Sequence, residues 1–146
     1  MTQDSDEIAI RALLDAQAQA IRSKEVDGTL SPYGPDLVRY DLAPPLATTG
    51  AEALDRHSLI AWFDTWRGPI HYDLKDLSIT ASGDIAFVHG FVRIGGTKQD
   101  GQTSDVWARQ TLGLRKLRGA WKIVHEHTST PFYMDGSDRA AVDLKP

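Results

Sequence analysis

His125 and His127 stand two residues apart in the stretch Trp121-Lys-Ile-Val-His-Glu-His-Thr-Ser-Thr-Pro-Phe132. Read with the period of a strand, Trp121, Ile123, His125, His127 and Ser129 share one face, and Lys122, Val124, Glu126 and Thr128 the other. The first face passes from aromatic and aliphatic groups to two imidazoles and a hydroxyl, as expected of a strand lining a closed pocket. The two imidazoles would then lie roughly 7 Å apart at Cβ, and either can give or take a proton near neutral pH. A core histidine paired with a backbone carbonyl is the competing reading for each. Asp41 ends an earlier strand-like run, just before Pro44-Pro45. A carboxylate in apolar surroundings there would have a raised pKa and could abstract an acidic C–H proton. The plainer alternative is that Asp41 caps its own turn.

Asp105, Trp107, Arg109 and Thr111 alternate along one face of a longer run. A guanidinium between apolar neighbours must be paired if buried, so Arg109 could clamp Asp41 or bind a substrate oxyanion. Pairing with Asp105 as plain scaffold is at least as good a reading. His89 alternates with Ile85, Phe87, Phe91 and Arg93 on a mixed face that looks into a cavity or toward a partner. Tyr40, Trp62, Phe63, Trp66 and Phe132 are expected as core or pocket wall. His-x-His on a strand also suggests a metal. With His89 as the only evident third ligand, Glu126 on the opposite face and no glutamate soon after the pair, no metal is assigned.

These groups sit in a chain of 146 residues, read as one domain over 1–146 with 130–146 as a C-terminal tail. Net charge is −4 and the densest basic stretch is Leu114-Arg-Lys-Leu-Arg118, so nucleic acid is not an expected partner. The absence of cysteine excludes disulfides, thiol chemistry and Cys-containing zinc sites. The acidic start Met1-Thr-Gln-Asp-Ser-Asp-Glu7 lacks a signal-peptide pattern, and no apolar run has the length of a membrane span. A cytoplasmic protein is expected.

Ile10, Leu13, Leu14, Gln17 and Ile21 predict a first helix, with Asp4, Asp6 and Glu7 at the end where the dipole favours anions. Ser23-Lys-Glu-Val-Asp-Gly28 breaks it, a short helix from about Val26 to Tyr33 follows, and Asp36 to Leu42 reads as a strand. Thr49-Gly-Ala-Glu52 has the form of a capping box opening a helix to about Trp66, closed by Gly68-Pro69. The spacing then predicts strands over Ile70–Thr80, Asp84–Ile94, Thr103–Leu117 and Ala120–Ser129, joined as a meander. Helices first and a sheet second mean α+β, with a cone-shaped cavity between the layers.

Four stretches carry a family resemblance: Val26-Asp-Gly-Thr-Leu-Ser-Pro-Tyr33, Arg39-Tyr-Asp-Leu-Ala-Pro-Pro45, Asp105-Val-Trp-Ala-Arg-Gln-Thr111 and Trp121-Lys-Ile-Val-His-Glu-His-Thr-Ser129. The chain resembles the NTF2-like superfamily and, within it, the SnoaL-like and ketosteroid-isomerase-like proteins. The resemblance implies an NTF2-like cone, with N-terminal helices on the concave face of a long, mainly antiparallel sheet. It makes Asp41 the leading general base and favours His127, two residues before Ser129, over His125. It also offers Asp41, Arg109 and Asp105 as the residue types of the water-activating cluster in epoxide hydrolases of this fold. A steroid isomerase is a poor match. The tyrosine its oxyanion hole needs on the first helix is replaced by Ala16, Gln17, Ala18 or Ala20, and Thr111 and Gly113 stand where a late-strand acid is wanted.

The function expected is cofactor-independent proton transfer of the isomerase, cyclase or dehydratase type on a small hydrophobic or aromatic metabolite. Asp41, His127 or His125, and Arg109 would carry it, and Tyr40, Trp62, Trp66, His89, Trp107 and Phe132 would line the site. A binding or sensing module with the same pocket is the alternative, and a dimeric scaffold the third. The resemblance implies a homodimer. The outer sheet face, expected to carry Val106, Ala108 and Leu112 against Val124, would be its interface.

Overall fold

Ile10, Leu14, Gln17, Ala18 and Ile21 recur at helical spacing, and all five are buried. They belong to α1 (Gln3–Arg22), which carries Asp4 and Asp6 in its first turn and Arg22 in its last. A computed structural model describes residues 3–146; Met1 and Thr2, the start of the acidic stretch, lie outside the described residues. The chain continues through α2 (Val26–Leu30), β1 (Tyr33–Tyr40), β2 (Thr48–Thr49), α3 (Gly50–Ala53) and α4 (Arg56–Asp64). Four long strands follow: β3 (Trp66–Ser82), β4 (Ile85–Lys98), β5 (Thr103–Leu117) and β6 (Ala120–Ser129). One six-stranded sheet results, in the order β2-β1-β6-β5-β4-β3, parallel only where β1 meets β6. This is the expected α+β cone, with helices packed on the concave face of the sheet.

Three boundaries depart from expectation, each for a local reason. Tyr33 and Gly34 join β1 rather than α2, because Tyr33 pairs with Ile123 and is buried. The helix expected from Thr49 is two helices. Thr49 makes no side-chain cap, and Asp55 restarts the helix by accepting the Ser58 backbone N–H at 3.0 Å. β3 begins at Trp66 and runs through Gly68-Pro69, which is tolerated because β3 is an edge strand and Pro69 there need not supply a ladder hydrogen bond. The loop after Asp41 contains a cis peptide bond between Pro44 and Pro45.

Two β-bulges decide which side chains reach the interior. In β3 the register passes from Lys75↔Phe91 to Ser78↔His89, so one extra residue is inserted beside Asp76, whose φ is +56°. Gly90 admits this bulge, since a Cβ there would lie 2.8 Å from Leu77 Cδ2 and 3.0 Å from the Lys75 carbonyl oxygen. In β6 the register passes from Leu114↔Ile123 to Gly113↔His125, leaving Val124 unopposed. The period-2 pattern therefore reverses within the strand. Trp121 and Ile123 are buried, but beyond the bulge the buried residues are Glu126 and Thr128.

The expected outer face of β5 is likewise the inner one. Ala108, Gln110, Leu112 and Leu114 are buried, with Val106 in line, while Asp105, Arg109 and Thr111 are exposed and Trp107 half-buried on the convex side. The concave face of the sheet packs under Ile10 and Leu14 of α1 in one core cluster with Leu37, Val88, Leu112, Leu114 and Ile123. A second cluster joins Ile21 to Phe63, Trp66 and Ile70. The first turn of α1 is tied to the end of the β5–β6 hairpin: Asp6 Oδ1 accepts from Lys116 Nζ at 3.0 Å and from Trp121 Nε1 at 3.1 Å. These hydrogen bonds, that to Lys116 first, hold the Asp6 carboxyl below the usual carboxylate range. The C-terminal segment, expected as a tail without periodicity, folds back on itself. Phe132 bridges Ala140, the Ala141 backbone N–H donates to the Pro131 carbonyl at 2.8 Å, and Ala141 is buried.

Candidate active site

Between the helices and the concave sheet lies a cavity of about 820 Å³. Leu59 and Trp62 of α4, Ile94 of β4 and Val106 of β5 give it apolar walls, and the Asp41–Pro45 loop with Ala140 and Val142 of the C-terminal segment borders it. On the sheet its polar lining includes Tyr33 and Arg39 of β1, Tyr72 of β3, Gln110 of β5, and Glu126 and Thr128 of β6, and Glu52, Asp55 and Ser58 border it from the helical side. An apolar chamber with few converging polar groups is the form of a small-molecule site.

Glu126 is the centre of that polar group. Tyr33 Oη donates to its Oε1 at 2.8 Å, and Arg39 Nε lies 3.1 Å from its Oε2. The Arg39 contact is an ion pair rather than an aligned hydrogen bond, because the Nε–H finds no acceptor in line. Arg39 is fixed further by stacking 4.8 Å from the Tyr33 ring centroid and by donating through Nη1 to the Ala53 carbonyl at 3.2 Å. Burial pushes the Glu126 carboxyl above its ordinary value, and Arg39 and Tyr33 pull against that shift without reversing it. Burial first, then the Glu126 charge, raises the Tyr33 phenol as well, so it remains a neutral donor.

A second polar chain runs across the sheet. Gln110 Nε2 donates to Thr128 Oγ1 at 3.2 Å, and Tyr72 lines the cavity with them. Burial holds the Tyr72 hydroxyl well above its ordinary pKa, so it too stays protonated. Asp41 completes the set. It borders the cavity on the same side as Arg39, and its Oδ1 accepts its neighbour Leu42's backbone N–H at 2.7 Å. Asp41 thus takes the turn-capping role and a place at the cavity together.

Of the residues expected at the site, the structure brings Asp41, Trp62 and Trp66 to the cavity. The others face elsewhere. The Val124 bulge turns His125 and His127 to the convex side, where Tyr40 meets both rings edge-on at 4.9 and 5.4 Å. His125 Nδ1 sits 2.8 Å from the Val38 carbonyl, the backbone pairing weighed against catalysis. Arg109 is on the convex face, its Nη2 donating to Ser129 Oγ at 3.3 Å, so it cannot clamp Asp41. Asp105 pairs instead with Arg93, at 2.7 and 3.1 Å. His89 and Trp107 share that convex side, Trp107 with the Lys75 ammonium 5.9 Å above its ring, and Phe132 is exposed in the C-terminal segment.

The residues that sequence reasoning missed are Glu126, Arg39, Tyr33, Tyr72, Gln110 and Thr128. A signal existed for Arg39, which alternates with the buried Leu37 on one face of β1 and requires a buried carboxylate partner. Glu126 is the acid in the strand beside it, paired with Arg39 in register.

A SnoaL-like domain profile matches residues 10–133. Among solved structures, an NTF2-like protein of unknown function from Pseudomonas putida KT2440 is 31% identical, with 98% of each chain covered and a TM-score of 0.86. A ketosteroid isomerase-like protein from Erwinia carotovora atroseptica is 23% identical over 84% of this chain and 93% of its own, with a TM-score of 0.69. A protein of unknown function from Mycobacterium tuberculosis is 18% identical over 98% and 87%, with a TM-score of 0.79. The last two show likeness of fold only. No curated protein matches the sequence significantly. With a domain profile spanning most of its length and a near-full-length relative of the same architecture, the chain belongs to the SnoaL-like family of the NTF2-like superfamily.

Proposed function

We propose that this protein is a cofactor-independent enzyme that moves a proton on a small, hydrophobic, ring-bearing metabolite held in the cone. The observation that carries the reading is a cavity-lining carboxyl, Glu126, whose affinity for a proton is raised by burial between apolar walls. In the ionised form Glu126 takes a proton from an acidic C–H. The C–H bond breaks, its electron pair moves into the adjacent carbonyl as an enolate, and the carboxyl returns the proton at the same or a neighbouring carbon. Tyr33 and Arg39 position Glu126, and Asp41 is the second carboxylate facing the same space. The ketosteroid isomerase-like relative supports this class of chemistry by fold likeness only.

The test uses 2-tetralone, an apolar bicyclic ketone with acidic α-protons, in deuterated buffer, with exchange followed by proton NMR. The wild-type protein should accelerate exchange over buffer, and Glu126→Gln should lower that acceleration by about 10²–10⁴-fold while still binding the probe. Exchange at the buffer rate with the probe bound would leave a ligand-binding module. That outcome is the second reading, favoured by the engagement of both Glu126 oxygens with Tyr33 and Arg39.

We also infer a homodimer formed through the convex sheet face. Phe87, His89 and Phe91 of β4 lie there beside Trp107, His125, His127 and Tyr40, and Ile85, Phe87 and Tyr40 are 51%, 49% and 41% exposed. A contiguous aromatic face of this kind is best covered by a second copy.

A further inference from the structure

Three histidines stand in two adjacent rows across the convex face of the sheet. In the first row His89 of β4 pairs with Thr111 of β5, Thr111 with His127 of β6, and His127 with Tyr40 of β1. At the spacing of paired strands, His89 and His127 lie about 10 Å apart at Cα with Thr111 between them. In the next row Phe87, Gly113, His125 and Val38 are in register, and the Tyr40 ring joins the rows by meeting both imidazoles of β6 edge-on. β5 is the middle strand of the run β1-β6-β5-β4-β3, so the histidines sit around the centre of the face rather than on its rim.

The hydrogen-bonding character of that centre changes with pH. The Val38 carbonyl takes the Nδ1–H of His125, so the neutral ring presents Nε2 as an acceptor. The neutral rings of His89 and His127 offer one acceptor nitrogen each. Tyr40 and Thr111 of the same row, and Ser129 two residues beyond His127, supply hydroxyl donors. A face that carries both kinds of group can pair with a copy of itself, because a two-fold contact sets the same patch of each subunit against the other. Protonation removes the acceptors, since an imidazolium donates through both nitrogens.

Charge acts in the same direction. Arg109 and Ser129 form the row after His127, and Lys75 of β3 closes that row opposite Phe91. On the other side of the histidines, Arg115 and Lys122 are in register beside Ile85. Against these cations stand Asp36 of β1 and Asp76 in the β3 bulge, while Asp73 and Asp105 are engaged by Arg93. Each imidazolium therefore adds to an excess of positive charge, and a second copy brings the same excess to the contact.

We propose that acidification separates the subunits: the homodimer formed through the convex face holds while His89, His125 and His127 are neutral and opens as they take up protons. The inference rests on the reading of that face as the dimer interface and adds a control to it. Net charge works the other way. It is −4 with neutral histidines, and protonating all five brings it close to zero, so general repulsion between copies falls on acidification. Separation in acid is then a property of this face.

The test is sedimentation velocity over a concentration series at about pH 7.5 and about pH 5.5, either side of the imidazole range, with circular dichroism at each pH to verify the fold. Every proton taken up on separation weakens the dimer by up to about tenfold per pH unit, so one imidazole from each subunit gives up to about a hundredfold. The wild type should be a dimer at the higher pH and at least about tenfold weaker at the lower, with its fold intact. The triple variant His89→Gln, His125→Gln, His127→Gln keeps hydrogen-bonding side chains without a titrating charge, and its Kd should be the same at both. A wild-type dimer that is equally tight or tighter in acid overturns this inference and leaves the interface standing. A monomer at the higher pH overturns the interface reading and this inference with it. A triple variant that still separates in acid overturns the assignment to these histidines. Should the variant not dimerise, proton NMR titration of the wild-type imidazoles at high and low protein concentration decides. At least one of the three should titrate at lower pH in the concentrated sample, and identical titrations overturn the inference.

Discussion

Replacing Arg39 by Met removes the cation from a carboxylate that the fold has already taken out of water. The side chains of Arg39 and Glu126 are 19% and 10% exposed, so solvent screens the pair weakly. Breaking such a pair by deleting one partner costs about 3–5 kcal/mol, and the Nη1 hydrogen bond to the Ala53 carbonyl adds about 1 kcal/mol. For a chain of this size, 3–5 kcal/mol corresponds to a fall in Tm of about 6–20 °C.

The cost must depend on pH. Glu126 already holds its proton above the ordinary glutamate value in the folded state, and loss of Arg39 strengthens that hold. A carboxyl whose folded pKa is raised contributes stability that is complete below the unfolded pKa and is lost as pH climbs through the folded pKa. Urea denaturation should therefore show Arg39→Met close to wild type near about pH 5 and several kcal/mol weaker near about pH 8, with a slope of at most about 1.4 kcal/mol per pH unit for this one group. The double variant Arg39→Met, Glu126→Gln should recover most of the loss near about pH 8, since no buried charge remains. A loss that is the same at both pH values, or one the double variant fails to recover, would refute the assignment of Glu126 as a buried, charge-compensated carboxyl.

Two further outcomes follow from contacts outside the cavity. Asp6→Asn should flatten the acid limb of the stability curve. The lowered Asp6 pKa contributes stability that is present above the unfolded carboxylate range and lost as pH falls through the folded value, so thermal melts of wild type and variant should converge as pH drops. Phe87→Asp places a charge at the centre of the convex face and should convert the inferred dimer to monomer by sedimentation velocity, with the circular dichroism spectrum unchanged. An unaltered sedimentation coefficient would rule that face out as the interface.

The fold was readable because its signals are periodic and redundant. The helical spacing of Ile10, Leu14 and Ile21 and the long alternating runs at 85–94 and 103–117 identify layers even when one boundary slips. The face assignment of β5 failed although its alternation was plain. Alternation separates two faces without saying which is inside, and Trp107 and Arg109 drew attention away from the more uniformly apolar Val106, Ala108, Leu112 and Leu114. The site was legible at Asp41, Trp62 and Trp66, which border the cavity although the boundaries of the elements around them slipped. His125 and His127 were misplaced because Val124 inserts one residue into β6, and nothing in the local sequence marks it: the glycine opposite, Gly113, leaves a Cβ position in ordinary contact at 3.4 Å from His125 Cβ.

That inserted residue makes the path of the backbone at one point of β6 a determinant of chemistry. Ile123 and Glu126 both face the interior with two residues between them, where an unbroken strand would put one. Deleting Val124 would close the bulge and leave both compartments as they are, with Ile123, Glu126 and Thr128 inward and His125 and His127 outward on a regular strand. Keeping Val124 but running the strand without the bulge would instead trade their contents: Glu126 and Thr128 would be delivered to the convex surface, and His125 and His127 to the chamber beside Arg39. Relatives that keep every side chain of this stretch but lack the bulge would therefore have a different interior, with imidazoles where this protein has a carboxyl.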